Sequence, residues 1–162
     1  MITVGIDPGL SGAIVVICEG EIVTLDDTPT SVIPKGKGHR TIYNESLMFE
    51  ILSRHGGGSG LEAFIEKSAP MPGQGVVSVF SFGYGVGLWI GMLTALKIPY
   101  TRVHPATWRR RVMNDMPKGK DANMVRAKEL YPMADIRLKK HHGRADAILI
   151  GHYGINYSKP PF

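Results

Sequence analysis

Residues 2–16 read ITVGIDPGLSGAIVV, two apolar runs parted by a turn whose first residue is an acid, Asp7. Ile2, Val4 and Ile6 alternate as a strand requires, while Pro8, Gly9 and Gly12 force the chain to turn before the apolar residues resume. A third short run at 21–25 follows Gly20. Runs over 2–6, 12–18 and 21–25 with turn signals this close predict an antiparallel meander. A carboxylate at the end of a buried strand must be held there for a reason, and its partners must come from elsewhere in the chain.

Downstream, 27–41 is rich in proline, glycine and the basic string PKGKGHR, which predicts a mobile loop. YNESLMFEILSRH (43–55) has helical spacing, with Leu47, Phe49, Ile51 and Leu52 as its apolar positions. LEAFIEKS then supplies a strand that ends, like the first, in a carboxylate, Glu66. A long helix is expected over 76–97, a strand over 99–103, and a short helix from HPATWRRRVM. A basic loop, MPKGKD, leads to an amphipathic helix from Lys120 to Leu130, and a last helix over 144–157 carries Asp146 near its start. This order predicts a single α/β domain over 1–162, with a mixed central sheet flanked by helices.

The chain has 162 residues, enough for one real core, and 19 basic against 14 acidic residues give a formal charge of +5. That excess favours a polyanionic partner. The single cysteine, Cys18, falls in an apolar run, which excludes a disulfide framework and makes a reducing cytoplasm the expected setting. The first residues show no signal-peptide pattern. Between Ala69 and Leu96 no residue is charged, but Gln74, Ser78, Ser81, Tyr84 and Thr94 dilute the stretch, so a buried helix is expected and no membrane role. Gly83, Gly87 and Gly91 recur every four residues on one face of that helix. Such a face implies close approach of another backbone, within the monomer or across a dimer.

Asp7 and Glu66 each end a strand, and Asp146 opens a helix. If the strands are neighbours, the three acids can meet at one sheet edge. Clustered carboxylates repel unless a hard cation lies between them, and Mg²⁺ suits a site of few carboxylates and several waters. A pair of such ions can activate water and stabilise a leaving oxygen at phosphorus.

The segments VGIDPGLSGAIVV, FIEKSAPMPGQG, HPATWRRRV, GKDANMVRAKEL and GRADAILIG, in this order, resemble the RuvC family of Holliday junction resolvases, the phage-borne members most closely. The resemblance covers nearly the whole chain. It implies an RNase H-like fold and a homodimer joined through the glycine-faced helix. It also implies hydrolysis of four-way or other branched DNA with two Mg²⁺ ions per site, Mn²⁺ substituting. Asp7, Glu66 and Asp146 would then be metal ligands. Arg109, in Pro105-Ala106-x-x-Arg109, falls where the family carries a DNA-contacting lysine, and Lys120 where it carries another. Arg110, Lys118 and the lysines of Lys35-Gly36-Lys37-Gly38 would add phosphate contacts.

Two departures from the family matter. Its fourth ligand, an Asp or His one turn before the last Asp, has Gly143 in its place; His142 lies on the same helical face and could serve. The loop SAPMPGQG also lacks the aromatic that some relatives wedge into a junction, and Met71 is its one bulky apolar side chain. Other readings stay open beside the resolvase: a non-catalytic basic module of the same fold, or a branch-tolerant nuclease without junction preference. A sugar-kinase or actin-like ATPase would need a second lobe and a second phosphate loop. Cys18 and the histidines have no companions for nucleophilic or zinc chemistry.

Overall fold

The computed structural model describes residues 2–55, 60–67, 69–70, 73–117, 119, 121–137 and 139–157. At its centre is a five-stranded sheet built from β1 (Ile2–Asp7), β2 (Ala13–Cys18), β3 (Glu21–Asp27), β6 (Leu61–Glu66) and β7 (Tyr100–Val103), in the order β3-β2-β1-β6-β7. The meander expected from the opening residues is present, with β1, β2 and β3 antiparallel. β6 pairs parallel to β1, and β7 parallel to β6, so the sheet is mixed.

Both faces of this sheet are covered, as the unbroken apolar run of β2 requires. Ile14 and Val16 point to one side with Val4, Ile6, Ala63 and Ile65. There they meet α1 (Glu45–Ser53) and α2 (Val76–Ala95) through Met48, Ile51, Leu52, Trp89 and Leu93. Ala13, Val15, Ile17 and Phe64 point to the other side. They pack on α3 (Pro105–Val112), α4 (Ala122–Leu130) and α5 (His142–Tyr157), which follows a 3₁₀ turn at Lys139–His141. Helix α5 lies directly across β1: a Cβ at Gly5 would collide with the main chain of Ala147 and come 2.9 Å from the Cα of Gly151. Backbone touches backbone there, so Gly5 admits no side chain.

The mobile loop expected over 27–41 is instead a hairpin, β4 (Thr30–Lys35) and β5 (Gly38–Tyr43), paired only to itself. Its prolines and glycines are hairpin chemistry: Gly36-Lys37 forms a two-residue turn with Gly36 at φ +57°, and Pro34 is tolerated in a free ribbon. In α1 the expected inner positions are only half right. Ile51 and Leu52 are buried together with Met48, whereas Leu47 and Phe49 are each 45% exposed. Cys18, expected inside a strand, ends β2 and is partly exposed.

The glycine face of α2 has a definite environment. A Cβ added at Gly83, Gly87 or Gly91 would meet nothing within 4 Å, so these glycines do not serve packing inside the monomer. Val76, Val77, Phe80 and Tyr84 are exposed on the same helix. Among the described residues α2 is the helix long and apolar enough to cross a membrane, yet Trp89 and Leu93 anchor its inner side in the core.

Candidate active site

Asp7 and Glu66 close adjacent parallel strands. The pairing runs from Ile2 opposite Leu61 to Ile6 opposite Ile65, so the next residues, the two acids, leave the sheet side by side. Asp146 reaches the same edge from the start of the second turn of α5, held over β1 by the contact at Gly5. The chain turns away after Asp7 through Pro8-Gly9, and the Tyr43 hydroxyl donates to the Pro8 carbonyl at 3.5 Å, fastening the turn to the hairpin.

The electrostatics show that the three acids share one field. Burial raises Asp7 most, and the negative charges of Asp146 and Glu66 raise it further, against the Gly9 N–H and the Arg109 guanidinium, to a pKa of about 7. Asp146 is also raised, by burial first and by Glu66, while Asn123, Arg109 and His142 pull it back. Like charges kept this close without a full counter-charge fit a hard divalent cation in donor chemistry. Yet among the described residues no three acid, histidine or cysteine side chains are drawn to one point. Each of the two outer acids is turned to another partner. Trp108 donates its Nε1–H to Glu66 Oε2 at 2.9 Å, and Asn123 donates Nδ2–H to Asp146 Oδ1 at 2.6 Å. An Arg109 guanidinium nitrogen lies 3.9 Å from Asp146 Oδ2, and its carbon sits 5.0 Å from the centre of the Trp108 ring.

His142 is the first residue of α5, 40% exposed at its side chain, with Nε2 at 3.5 Å from Asp121 Oδ1. It lies near enough to Asp146 to be among the groups that hold that acid's pKa down. Gly143 is where it is for steric reasons: a Cβ there would strike the Ser11 carbonyl and lie 2.8 Å from Gly12 Cα. The turn after β1 occupies the space that a ligand at 143 would need.

Of the expected DNA contacts among the described residues, only Arg109 sits among the acids. Arg110 is exposed and lines a separate cleft with Arg111, Asn114 and Tyr157. Lys35 and Lys37 stand exposed at the hairpin tip, flanking Gly36 and followed by Gly38. Lys118, Lys120 and Met71 lie outside the described residues. The hairpin contributes Arg40 and Thr41 instead, which line a cavity of about 460 Å³ together with Asp7, Ser81 and Phe82. Sequence reasoning passed over Asn123, although it lies inside GKDANMVRAKEL, because a neutral amide leaves no charge pattern. Trp108 is fully buried in the core and at the same time donates to Glu66.

The backbone can be set beside solved structures. RuvC of Thermus thermophilus superposes over 96% of both chains with a TM-score of 0.59 at 13% identity. The same protein in complex with a Holliday junction substrate superposes over 99% of both, with a TM-score of 0.60 and again 13% identity. The fold is that of RuvC. The RNase H-like fold that the resemblance implied is therefore present, with Asp7 and Glu66 at strand ends and Asp146 on the last helix, as the sequence predicted. In sequence, the chain is similar to the chloroplastic Holliday junction resolvase MOC1 of Chlamydomonas reinhardtii, 30% identical over 102 residues. That stretch is 62% of this chain and only 12% of the length of the relative. No protein-family model matches the chain.

Proposed function

We propose that this protein is a metal-dependent, structure-specific endonuclease that resolves branched DNA, four-way junctions above all, by hydrolysing phosphodiesters as a homodimer. The observation that carries the reading is the set of acids: Asp7, Glu66 and Asp146 share one field on a RuvC fold, with Arg109 beside them. A module that merely bound a phosphate backbone would gain nothing from acids aimed at it. The likeness to MOC1 and to a RuvC solved with a junction supports the substrate class.

In this reading Asp7, Glu66 and Asp146 hold Mg²⁺, or Mn²⁺ in its place, as a pair of ions, with His142 as the fourth ligand where Gly143 offers none. Bound there, such ions lower the pKa of water and neutralise charge developing at phosphorus. The chain's own residues orient the partners. Trp108 fixes the rotamer of Glu66, and Tyr43 holds the turn that directs Asp7 into its cavity. Arg109 offers its guanidinium to the substrate phosphate. The open glycine face of α2, with exposed Phe80 and Tyr84 beside it, would join two copies and so place two sites on opposing strands.

A second reading, a binding module without catalysis, has one observation in its favour: the acids are not drawn to a single point among the described residues. One assay separates the two. Wild type and Asp7→Asn are incubated with labelled four-way junction, replication fork and linear duplex, each with Mg²⁺ or Mn²⁺. Junction cleavage lost in Asp7→Asn, with binding kept, is the expected result. Binding without cleavage by the wild type establishes the module, and equal cutting of linear duplex removes the junction preference.

A further inference from the structure

We propose that Arg109 and Asn123 form a latch on Asp146 that a DNA phosphate opens, so that DNA and the divalent cation bind cooperatively. The inference rests on the proposed function and adds to it the order in which the site is assembled. Both oxygens of Asp146 are engaged, Oδ1 by Asn123 at 2.6 Å and Oδ2 by Arg109 at 3.9 Å. Neither partner belongs to α5; one comes from α3 and the other from α4. Both line one cavity of about 560 Å³, with Met113, Met116 and Gly119. A phosphodiester entering that cavity meets two donors at once.

The two contacts differ in a way that suits release. Arg109 is half exposed, with its guanidinium over the Trp108 ring, and its pairing to Asp146 is long. A phosphate can accept two parallel guanidinium hydrogen bonds, which a charge pair at 3.9 Å does not supply. Asn123 is neutral, and its amide can donate to a phosphate oxygen as well as to a carboxylate. When both turn to DNA, Asp146 regains its lone pairs and the three acids lose the positive charge that opposed their repulsion. Demand for a cation then rises at the moment substrate is present. With the latch closed, Asp146 is held by its two partners, and the described acids form no ready-made ligand cluster.

Coupling of this kind is reciprocal and can be measured as binding. Mn²⁺ affinity is determined by calorimetry, and by the electron paramagnetic resonance of free Mn²⁺, for wild type, Asn123→Ala and Arg109→Lys. Each protein is measured alone and with a four-way junction made of hydrolysis-resistant phosphorothioate linkages. Wild type is expected to bind Mn²⁺ about fivefold or more tightly with the junction. Asn123→Ala, which changes no charge, should bind Mn²⁺ about three- to tenfold more tightly alone and gain little from DNA. Arg109→Lys keeps the charge, shortens the reach, and should shift the same way; at a half-exposed position it also serves if Asn123→Ala does not fold. Equal Mn²⁺ affinity for wild type with and without junction, or no tightening in the folded variants, overturns the latch. Cleavage of an unmodified junction by the same wild-type sample then shows that the latch alone has failed. If that junction is not cut with Mg²⁺ or Mn²⁺, the nuclease reading fails, and the latch with it.

Discussion

Asp7 is the residue on which stability and function pull in opposite directions. Burial and two neighbouring carboxylates raise its pKa from 3.8 to about 7. Between those values the folded protein keeps a proton that the unfolded chain has lost, so stability falls as pH rises through that window. The loss is complete above pH 7, and it grows by about 1.4 kcal/mol for every pH unit that separates the folded from the unfolded titration. Without divalent ions, the Tm should therefore be higher at pH 5.5 than at pH 8, and calorimetry of Asp7→Asn should show a raised Tm at pH 8 with much of the pH dependence gone. A metal-free wild type more stable at pH 8 would contradict the burial of this charge. At the other end of the site, Gly143→Asp should not restore a ligand. Its Cβ meets the Ser11 carbonyl and Gly12, so a loss of several degrees in Tm is expected, with cleavage reduced. His142→Asp should keep Mg²⁺-supported cleavage and His142→Ala lower it about tenfold or more; unchanged rates in the alanine variant would remove His142 from the ligand set. Asp7 and Glu66 were legible in the sequence as strand ends, and Asp146 as an acid near the start of the last helix. The hydrogen bonds of Asn123 and Trp108 were not, since their partners lie 23 and 42 residues away.

Among the elements, α2 offers the sharpest test. Glycine in an exposed helix costs about 1 kcal/mol relative to alanine, and the Cβ positions of Gly83, Gly87 and Gly91 are open in the monomer. Alanine at Gly87 should therefore stabilise an isolated protomer slightly, while a bulky residue such as leucine should weaken a dimer that uses this face. Under the proposed homodimer, sedimentation is expected to show a dimer for wild type and a monomer for Gly87→Leu; a variant that sediments as a dimer would place the interface elsewhere. The sequence showed the glycine spacing but not which way the face points, because direction depends on what α1 and the sheet cover. The hairpin at 30–43 was misread for a related reason. Its two strands bury little, so their alternation is faint and the turn residues dominate the local signal. In three dimensions that ribbon brings Arg40 to the wall of the cavity that Asp7 lines.

At the scale of the whole molecule, layers of helices on both faces leave the sheet's carboxyl-end edge as the place where acids can collect. This much follows from the order of strands and helices, and it was readable before any coordinates. What the order could not tell is how positive charge is distributed around that edge. Arg109 stands among the acids, Arg110 lines a different cleft, and the hairpin lysines are exposed at the tip of the ribbon. Junction binding should weaken steeply with salt, and alanine at either arginine that meets a phosphate should reduce the slope of log K against log salt by about one. Only at Arg109 should cleavage fall further than binding does, as measured by single-turnover rates at saturating protein. The contact at Gly5 bears on how such a protein can change over time. Where helix and strand meet main chain to main chain, the spacing between Asp7 and Asp146 is a gauge cut from the backbone itself. Leucines and isoleucines elsewhere are free to drift from one lineage to the next without resetting it, whereas a single methyl group at position 5 would.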